Sequence, residues 1–333
     1  MNWLISRTLT TLIVLLTLAC TGIFMYIRMH DTPADASQYQ ILKERWHARF
    51  KSTPTEAYTD FVREGDKLSY VESHWLAHIV GEVLFEKFGV SGMRFCTTDF
   101  SYGCYHGFSG SAFTAFGLGV VRDLADECPQ SSPELFLGCM HGLGHGILAE
   151  VGSISLVKAL QICSPLQEQE MIGGCLGGIF MEHNYNTLQS LEGLALRPYE
   201  KERAYEPCAQ EVPDAYKAAC YYELTSWWRA SFDKQGMSQN EQYAEIGHLC
   251  RAIDDSEMQT VCFRGVGNVI GPLSGYNSTV MREWCSMMSD EHAQTVCFHE
   301  SLGHLLQSDK GRVEIQSLCA SGSVADAHLC RVE

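Results

Sequence analysis

Fourteen of the fifteen cysteines in this 333-residue chain fall into seven close pairs, and no other feature restricts the fold as much. The pairs are Cys96 with Cys104, Cys128 with Cys139, Cys163 with Cys175, Cys208 with Cys220, Cys250 with Cys262, Cys285 with Cys297 and Cys319 with Cys330; Cys20 is set apart. The second members recur at intervals of 35, 36, 45, 42, 35 and 33 residues. A period of roughly 20–50 residues marks a repeat architecture, in which each unit buries its apolar face against its neighbours.

The text around the cysteines repeats too. CMHGLGHGIL, CLGGIFMEHN, CYYELTSWWR, CFRGVGNVIG and CFHESLGHLL each open on the second Cys and run on as an apolar helical segment. ALQIC, IGHLC and REWC each end a helical run at the first Cys. Each unit therefore reads as helix A, a loop and helix B. The loops carry helix-start chemistry: Ser132-Pro133-Glu134, Pro213-Asp214, Asp254-Asp255-Ser256-Glu257 and Ser289-Asp290-Glu291. A side-chain oxygen at the N-cap accepts from free backbone N–H groups, and acids in the first turn favour the helix dipole. The end of helix A then lies beside the start of helix B, an antiparallel arrangement that a disulfide can close. Each closed loop of ~12 residues contributes about 3 kcal/mol in the chain-entropy model. Zinc knuckles are the competing use of paired cysteines, but they need CxxC-like spacing. Disulfides at this density require an oxidising compartment.

The N-terminus fits that location. Thr8 to Ile27 carry no charge, and about 20 helical residues span a bilayer core. A cleaved signal peptide has a shorter apolar region, and this run continues past both candidate small-x-small sites. Cys20 has Thr17 three residues before it where a lipoprotein signal has Leu. The chain thus reads as a cytoplasmic N-terminus (1–7), a transmembrane signal anchor (8–27), a stem (28–52) and a disulfide-stapled helical-repeat domain (53–333). That domain would sit in the periplasm, secretory lumen or cell exterior. The fold expected is all-α, an α-solenoid of about seven antiparallel helix pairs with intra-repeat disulfides, preceded by one transmembrane helix. In this architecture the chain resembles disulfide-stapled helical-repeat proteins of the Sel1-like kind exported by bacteria. Its cysteine spacing is wider than theirs, and the resemblance carries over no functional residue.

Chemistry concentrates on the histidines. His74 and His78 are an i, i+4 pair, as are His141 and His145, and as are Glu300 and His304, with His299 just before. Residues four apart share one helix face. His106 follows Cys104, and Glu182 and His183 lie in the third stapled unit. The metal-ligand candidates are therefore His74, His78, His106, His141, His145, His183, His299, Glu300 and His304. Imidazole suits Zn, Fe and Cu, and carboxylate plus imidazole from facing helices builds di-iron sites. Glu300 and Glu182 are the candidate catalytic bases. HExxH is absent, because His299-Glu300 is followed by Ser-Leu-Gly-His, one residue too long.

Glycine adds a second puzzle. His141-Gly142-Leu143-Gly144-His145-Gly146 puts three glycines in one helical run, each costing about 1 kcal/mol relative to Ala. Either backbone approaches a ligand there, or helices pack closely.

Net charge excludes one class of partner. At −16, the chain repels a phosphate backbone, so nucleic acid is not expected. Two functions remain open. One is a membrane-anchored binding or scaffold protein whose His/Glu-lined groove holds a protein, peptide or glycan. The other is a metal-dependent extracytoplasmic enzyme or metal-binding protein. Trp227-Trp228-Arg229 reads as core plus a cap, and Asn277-Ser278-Thr279 is a glycosylation sequon.

Overall fold

The computed structural model describes residues 36–330 apart from 52, 130–131, 153–154, 167–171, 189–195, 289, 308 and 323–328. The uncharged span 8–27 and Cys20 lie outside the described residues. Among the described residues no helix is long and apolar enough to cross a membrane. By contacts the chain divides into two compact units, Met1–Leu42 and Lys43–Glu333.

Regular structure among the described residues is helical, with no strands. In chain order the α-helices are α1 Ala36–Arg49, α2 Pro54–Gly65, α3 Tyr70–Phe88, α4 Gly103–Phe116, α5 Val121–Glu127, α6 Pro133–Val151 and α7 Leu156–Cys163. They continue as α8 Gly174–Tyr185, α9 Lys217–Lys234, α10 Gln239–Arg251, α11 Ser256–Leu273, α12 Ser278–Cys285, α13 Glu291–Gly303 and α14 Asp309–Ala320. The stretch expected as a stem holds α1, whose Trp46 is fully buried, as is Phe50 just beyond it.

Helix starts obey the local chemistry. Ser132, Asp255 and Asp290 cap α6, α11 and α13 by accepting from first-turn backbone N–H groups. Ser69 with Glu72, and Ser238 with Glu241, form reciprocal capping boxes at α3 and α10. Each cap satisfies donors that the helix itself leaves open.

All seven expected disulfides form, with Cα–Cα distances of 5.5–5.7 Å. Cys96 is bonded to Cys104, Cys128 to Cys139, Cys163 to Cys175 and Cys208 to Cys220. Cys250 is bonded to Cys262, Cys285 to Cys297 and Cys319 to Cys330. In the first six pairs the second member lies in the first two turns of a B helix: Cys104 in α4, Cys139 in α6, Cys175 in α8, Cys220 in α9, Cys262 in α11 and Cys297 in α13. The seventh departs from the expected helix pair. Cys319 ends α14, and its partner Cys330 lies in a turn instead of a helix.

Two A elements are not α-helices either. The first is the 3-10 helix Gly89–Phe95, and the fourth is a run of turns around Cys208. In the fourth, Pro207 lacks the N–H that a continuing helix needs. This irregular segment is tied down from below. Trp227 Nε1 donates to the Arg197 carbonyl (2.8 Å), and Trp228 Nε1 donates to the Ala204 carbonyl (2.9 Å). Both indoles are fully buried, as the core reading of this pair expects.

The longer helices α3, α4, α6, α8, α9, α11 and α13 pack each upon the next. Glycine sets their spacing. A Cβ on Gly81 (α3) would lie 2.0 Å from the Cys104 carbonyl oxygen on α4, and one on Gly107 (α4) 1.9 Å from that of His78 on α3. The reciprocal pattern recurs between α6 and α8, where Gly144 faces the Cys175 carbonyl oxygen at 2.0 Å and Gly178 faces that of His141 at 1.9 Å. Real side chains never approach so closely, so these helices touch backbone to backbone. Of the two explanations for the glycine-rich runs, helix packing accounts for these four positions.

Gly178→Ala therefore has no room to relax without separating α6 from α8. Overpacking of this kind costs about 1–3 kcal/mol or more. Gly119→Ala is the control: it is exposed, and its added Cβ meets nothing within 4 Å. Thermal melts should show a marked drop in Tm for the first and no loss for the second. Equal Tm values would mean that the close contact does not set the packing.

Candidate metal centre

The close helix contacts bring five histidines together. His74 and His78 stand one turn apart on α3, His106 on α4, and His141 and His145 one turn apart on α6. Two groups have ligand atoms within 4.8 Å of one another: His74, His78 and His106, and His106, His141 and His145. His106 belongs to both. Its ring centroid lies 5.3 Å from His74, 5.2 Å from His78, 5.4 Å from His141 and 4.4 Å from His145. The second group is buried throughout, whereas His74 and His78 are half-buried.

Hydrogen bonding sets the tautomers. His74 Nδ1 lies 2.7 Å from the Phe100 carbonyl, an acceptor, so Nδ1 carries the proton and Nε2 a lone pair. His145 Nδ1 likewise donates to Glu182 Oε2 at 2.9 Å, so the neutral ring keeps a lone pair on Nε2. These lone pairs face further ring nitrogens. His74 Nε2 is 3.2 Å from His78 Nε2, and His145 Nε2 is 3.1 Å from His141 Nε2. His106 Nδ1 is 3.3 Å from His78 Nε2. Each facing nitrogen must either donate a proton or share a cation with its neighbour. Ligands at metal–nitrogen distances of 2.0–2.1 Å in a tetrahedron lie roughly 3.3 Å apart, so these spacings suit a shared ion. His106 Nε2 is buried and meets no hydrogen-bond partner.

The outer supports resemble those of metal-bound imidazoles, whose distal N–H is held by a carboxylate or a carbonyl. The Glu182 carboxylate is itself fixed: it accepts from the backbone N–H of Thr187 and of Leu188, each at 3.1 Å, and from the Thr187 hydroxyl. Burial pushes its pKa up, but hydrogen bonds from His145, Thr187 and Leu188 outweigh that and hold it below the usual carboxylate range. The Phe100 carbonyl sits in a strained turn. Phe100, Ser101 and Tyr102 have φ of 54°, 51° and 63°, three successive non-glycine residues in the left-handed region. Each such residue costs roughly 1–2 kcal/mol, and the Cys96–Cys104 loop holds all three there.

Other candidates go elsewhere. Glu300 accepts from the Tyr222 hydroxyl (3.0 Å) and from Arg264 Nε (2.8 Å), and belongs to neither histidine group. His304 packs against Gly271, and His299 is exposed. His183 follows Glu182 on α8 outside both groups, and burial pushes its pKa down to about 4. One further residue adjoins the centre. Glu223 and His141 both approach Gly177, where a Cβ would be 2.8 Å from Glu223 Oε1 and 3.4 Å from His141 Nδ1. Burial pushes the Glu223 carboxyl up to about 8, so it is protonated at neutral pH. A surface cleft of about 370 Å³ lined by Arg122, Asp126, Phe136 and Leu166 contains none of these groups.

Two supports escape a reading of the sequence: the Phe100 carbonyl, because backbone carries no residue signal, and Thr187, because it acts through Glu182. The pairing of Glu182 with His145 has a trace, since the two stand 37 residues apart, close to the repeat period.

Comparison with protein-family models, curated proteins and solved structures gives no match.

Without metal, four of the clustered imidazoles resist protonation. Burial, and then the neighbouring histidines, push His78, His106 and His141 well below their ordinary 6.5, and burial pushes His74 down as well. The unfolded chain binds these protons first, so stability is complete above about pH 6.5 and falls as pH drops toward the lowered native values. Each histidine contributes up to about 1.4 kcal/mol per pH unit in that window. Chelator-treated protein should hold its Tm from pH 8 to 7 and lose it steeply between 6.5 and 5. A flat Tm down to pH 5 would contradict the buried neutral cluster.

Proposed function

We propose that this protein is an extracytoplasmic helical-repeat protein that binds a transition metal ion, Zn, Cu or Fe, through its buried histidines. One observation carries the reading: His141 and His145, both buried, present Nε2 atoms 3.1 Å apart, while Glu182 orients His145. A neutral His141 can meet this contact by donating Nε2–H to His145; the alternative is a cation held between the two nitrogens, which the 3.1 Å separation suits. Imidazole-only ligation suits Zn and Cu, and Fe where open positions remain. Seven disulfides support an oxidising compartment, and the uncharged span 8–27 supports a membrane anchor there.

The scaffold reading receives less support. It relies on a His/Glu-lined surface for a protein, peptide or glycan, whereas three of the histidines face one another in the interior and the other two are half-buried. If the ion is catalytic, Glu182 is poorly placed as a free base, since four hydrogen bonds already engage it.

Elemental mass spectrometry tests the proposal on protein purified without chelator or affinity metal. Near-stoichiometric metal is expected, and the His141→Ala/His145→Ala double variant should lose it while keeping its helical content. Glu182→Gln keeps the shape but weakens the orienting bond, and should lower metal affinity by about 10–100-fold. Metal-free wild-type protein that takes up none of the three ions would overturn the reading.

A further inference from the structure

The two histidine groups share one residue, and that residue has two ring nitrogens in different surroundings. His106 Nδ1 faces His78 Nε2 at 3.3 Å, on the side of the α3 pair. His106 Nε2 is buried without a hydrogen-bond partner, and the ring is nearest of all to His145, on the side of the α6 pair. Imidazole nitrogens point in divergent directions, so an ion held by the α3 group alone takes His106 Nδ1 and leaves the buried Nε2 idle. An idle buried nitrogen is costly, because it has given up water for nothing.

We propose that the centre is dinuclear, with His106 as the bridging ligand between two metal ions. The inner ion takes His106 Nε2, His141 and His145; the outer ion takes His106 Nδ1, His74 and His78. This inference rests on the metal-binding reading above and extends it. The two ions differ in exposure. The inner group is buried throughout, so its three ligands shield their ion from solvent. The outer group has two half-buried members and three protein ligands, which leaves a fourth position for water or a small molecule. The outer ion is thus the exchangeable one, and its substrate class is a small ligand able to bind a metal through that open position.

Bridging has a proton balance. Neutral imidazole keeps one N–H, and when both nitrogens bind metal that N–H bond breaks. Its electron pair goes to the second ion and its proton leaves to solvent. No electron is transferred and no co-reactant is needed. The buried position favours this step, because two cations stabilise an imidazolate that water otherwise would not.

Copper(II) gives the test, because an imidazolate bridge couples two such ions magnetically. The full chain in detergent micelles is stripped with chelator and titrated with Cu(II), then assayed for copper and by electron paramagnetic resonance. The expected result is about two ions per chain, with a signal well below that of the copper present. His78→Ala should retain the inner ion alone, with full signal, and His106→Ala should abolish the coupling. Far-ultraviolet circular dichroism on both variants reports whether they are folded; if either is not, the wild-type stoichiometry and signal decide alone. Saturation at one ion per chain, or two ions with full signal, overturns the bridge and leaves the metal-binding reading standing. No bound copper, with zinc and iron also refused, overturns both.

Discussion

Everything at the centre of this protein depends on helices that touch through their backbones. Glycines at facing positions of α3 and α4, and again of α6 and α8, let carbonyl oxygens occupy the space where side chains would stand. The glycines cost helix propensity, about 1 kcal/mol each relative to Ala. Close packing offsets that cost, and the disulfides at the helix starts add to it by shortening the unfolded chain's freedom. The result is a helix spacing small enough for imidazoles on three successive helices to meet ring to ring. A methyl group at Gly107 would move the rings of α3 and α4 apart, and one at Gly178 would draw Glu182 on α8 away from His145.

That proximity makes each inward contact one that either a proton or a cation can bridge. A glutamate and a carbonyl commit His145 and His74 to present lone pairs inward, where further nitrogens face them. Protonation is opposed by burial and by the neighbouring rings. Stability favours a satisfied interior, and this buried cluster of imidazoles is what the metal-binding proposal accounts for. The left-handed turn at Phe100–Tyr102 serves the same cluster, since strained backbone there places one carbonyl.

A contrasting polar cluster lies farther along the row of helices. Glu300, Arg264 and Tyr222 satisfy one another with ordinary donor–acceptor pairs. Its members occupy positions in their units equivalent or adjacent to those of the histidines, yet they form a closed ion pair. Similar positions in a repeat thus carry ligand-like chemistry at one end and structural pairing at the other.

The amino-acid sequence by itself determined the helical class, the seven disulfides, three of the caps (Ser132, Asp255 and Asp290, though not the expected start at Pro213-Asp214) and the residues able to bind metal. These features are local or periodic: a cap acts within four residues, a disulfide here within twelve, and an i, i+4 pair within one turn. The core role of Trp227 and Trp228 was legible for the same reason, since large apolar rings have few other uses. Tertiary structure alone decided which candidates meet. His74, His78, His106, His141 and His145 converge because glycines bring α3 to α4 and α4 to α6, the latter at Gly142, where a Cβ would lie 2.7 Å from the Tyr105 carbonyl oxygen, in a particular rotation. Glu300 and His304, equally promising as a helical pair, face Arg264, Tyr222 and Gly271 instead. The turn of one helix against the next follows from side-chain volumes at their contact, and no spacing along the chain encodes it. The shared position of His106, and the change of Glu182 from candidate base to the support of a ligand, follow from that rotation.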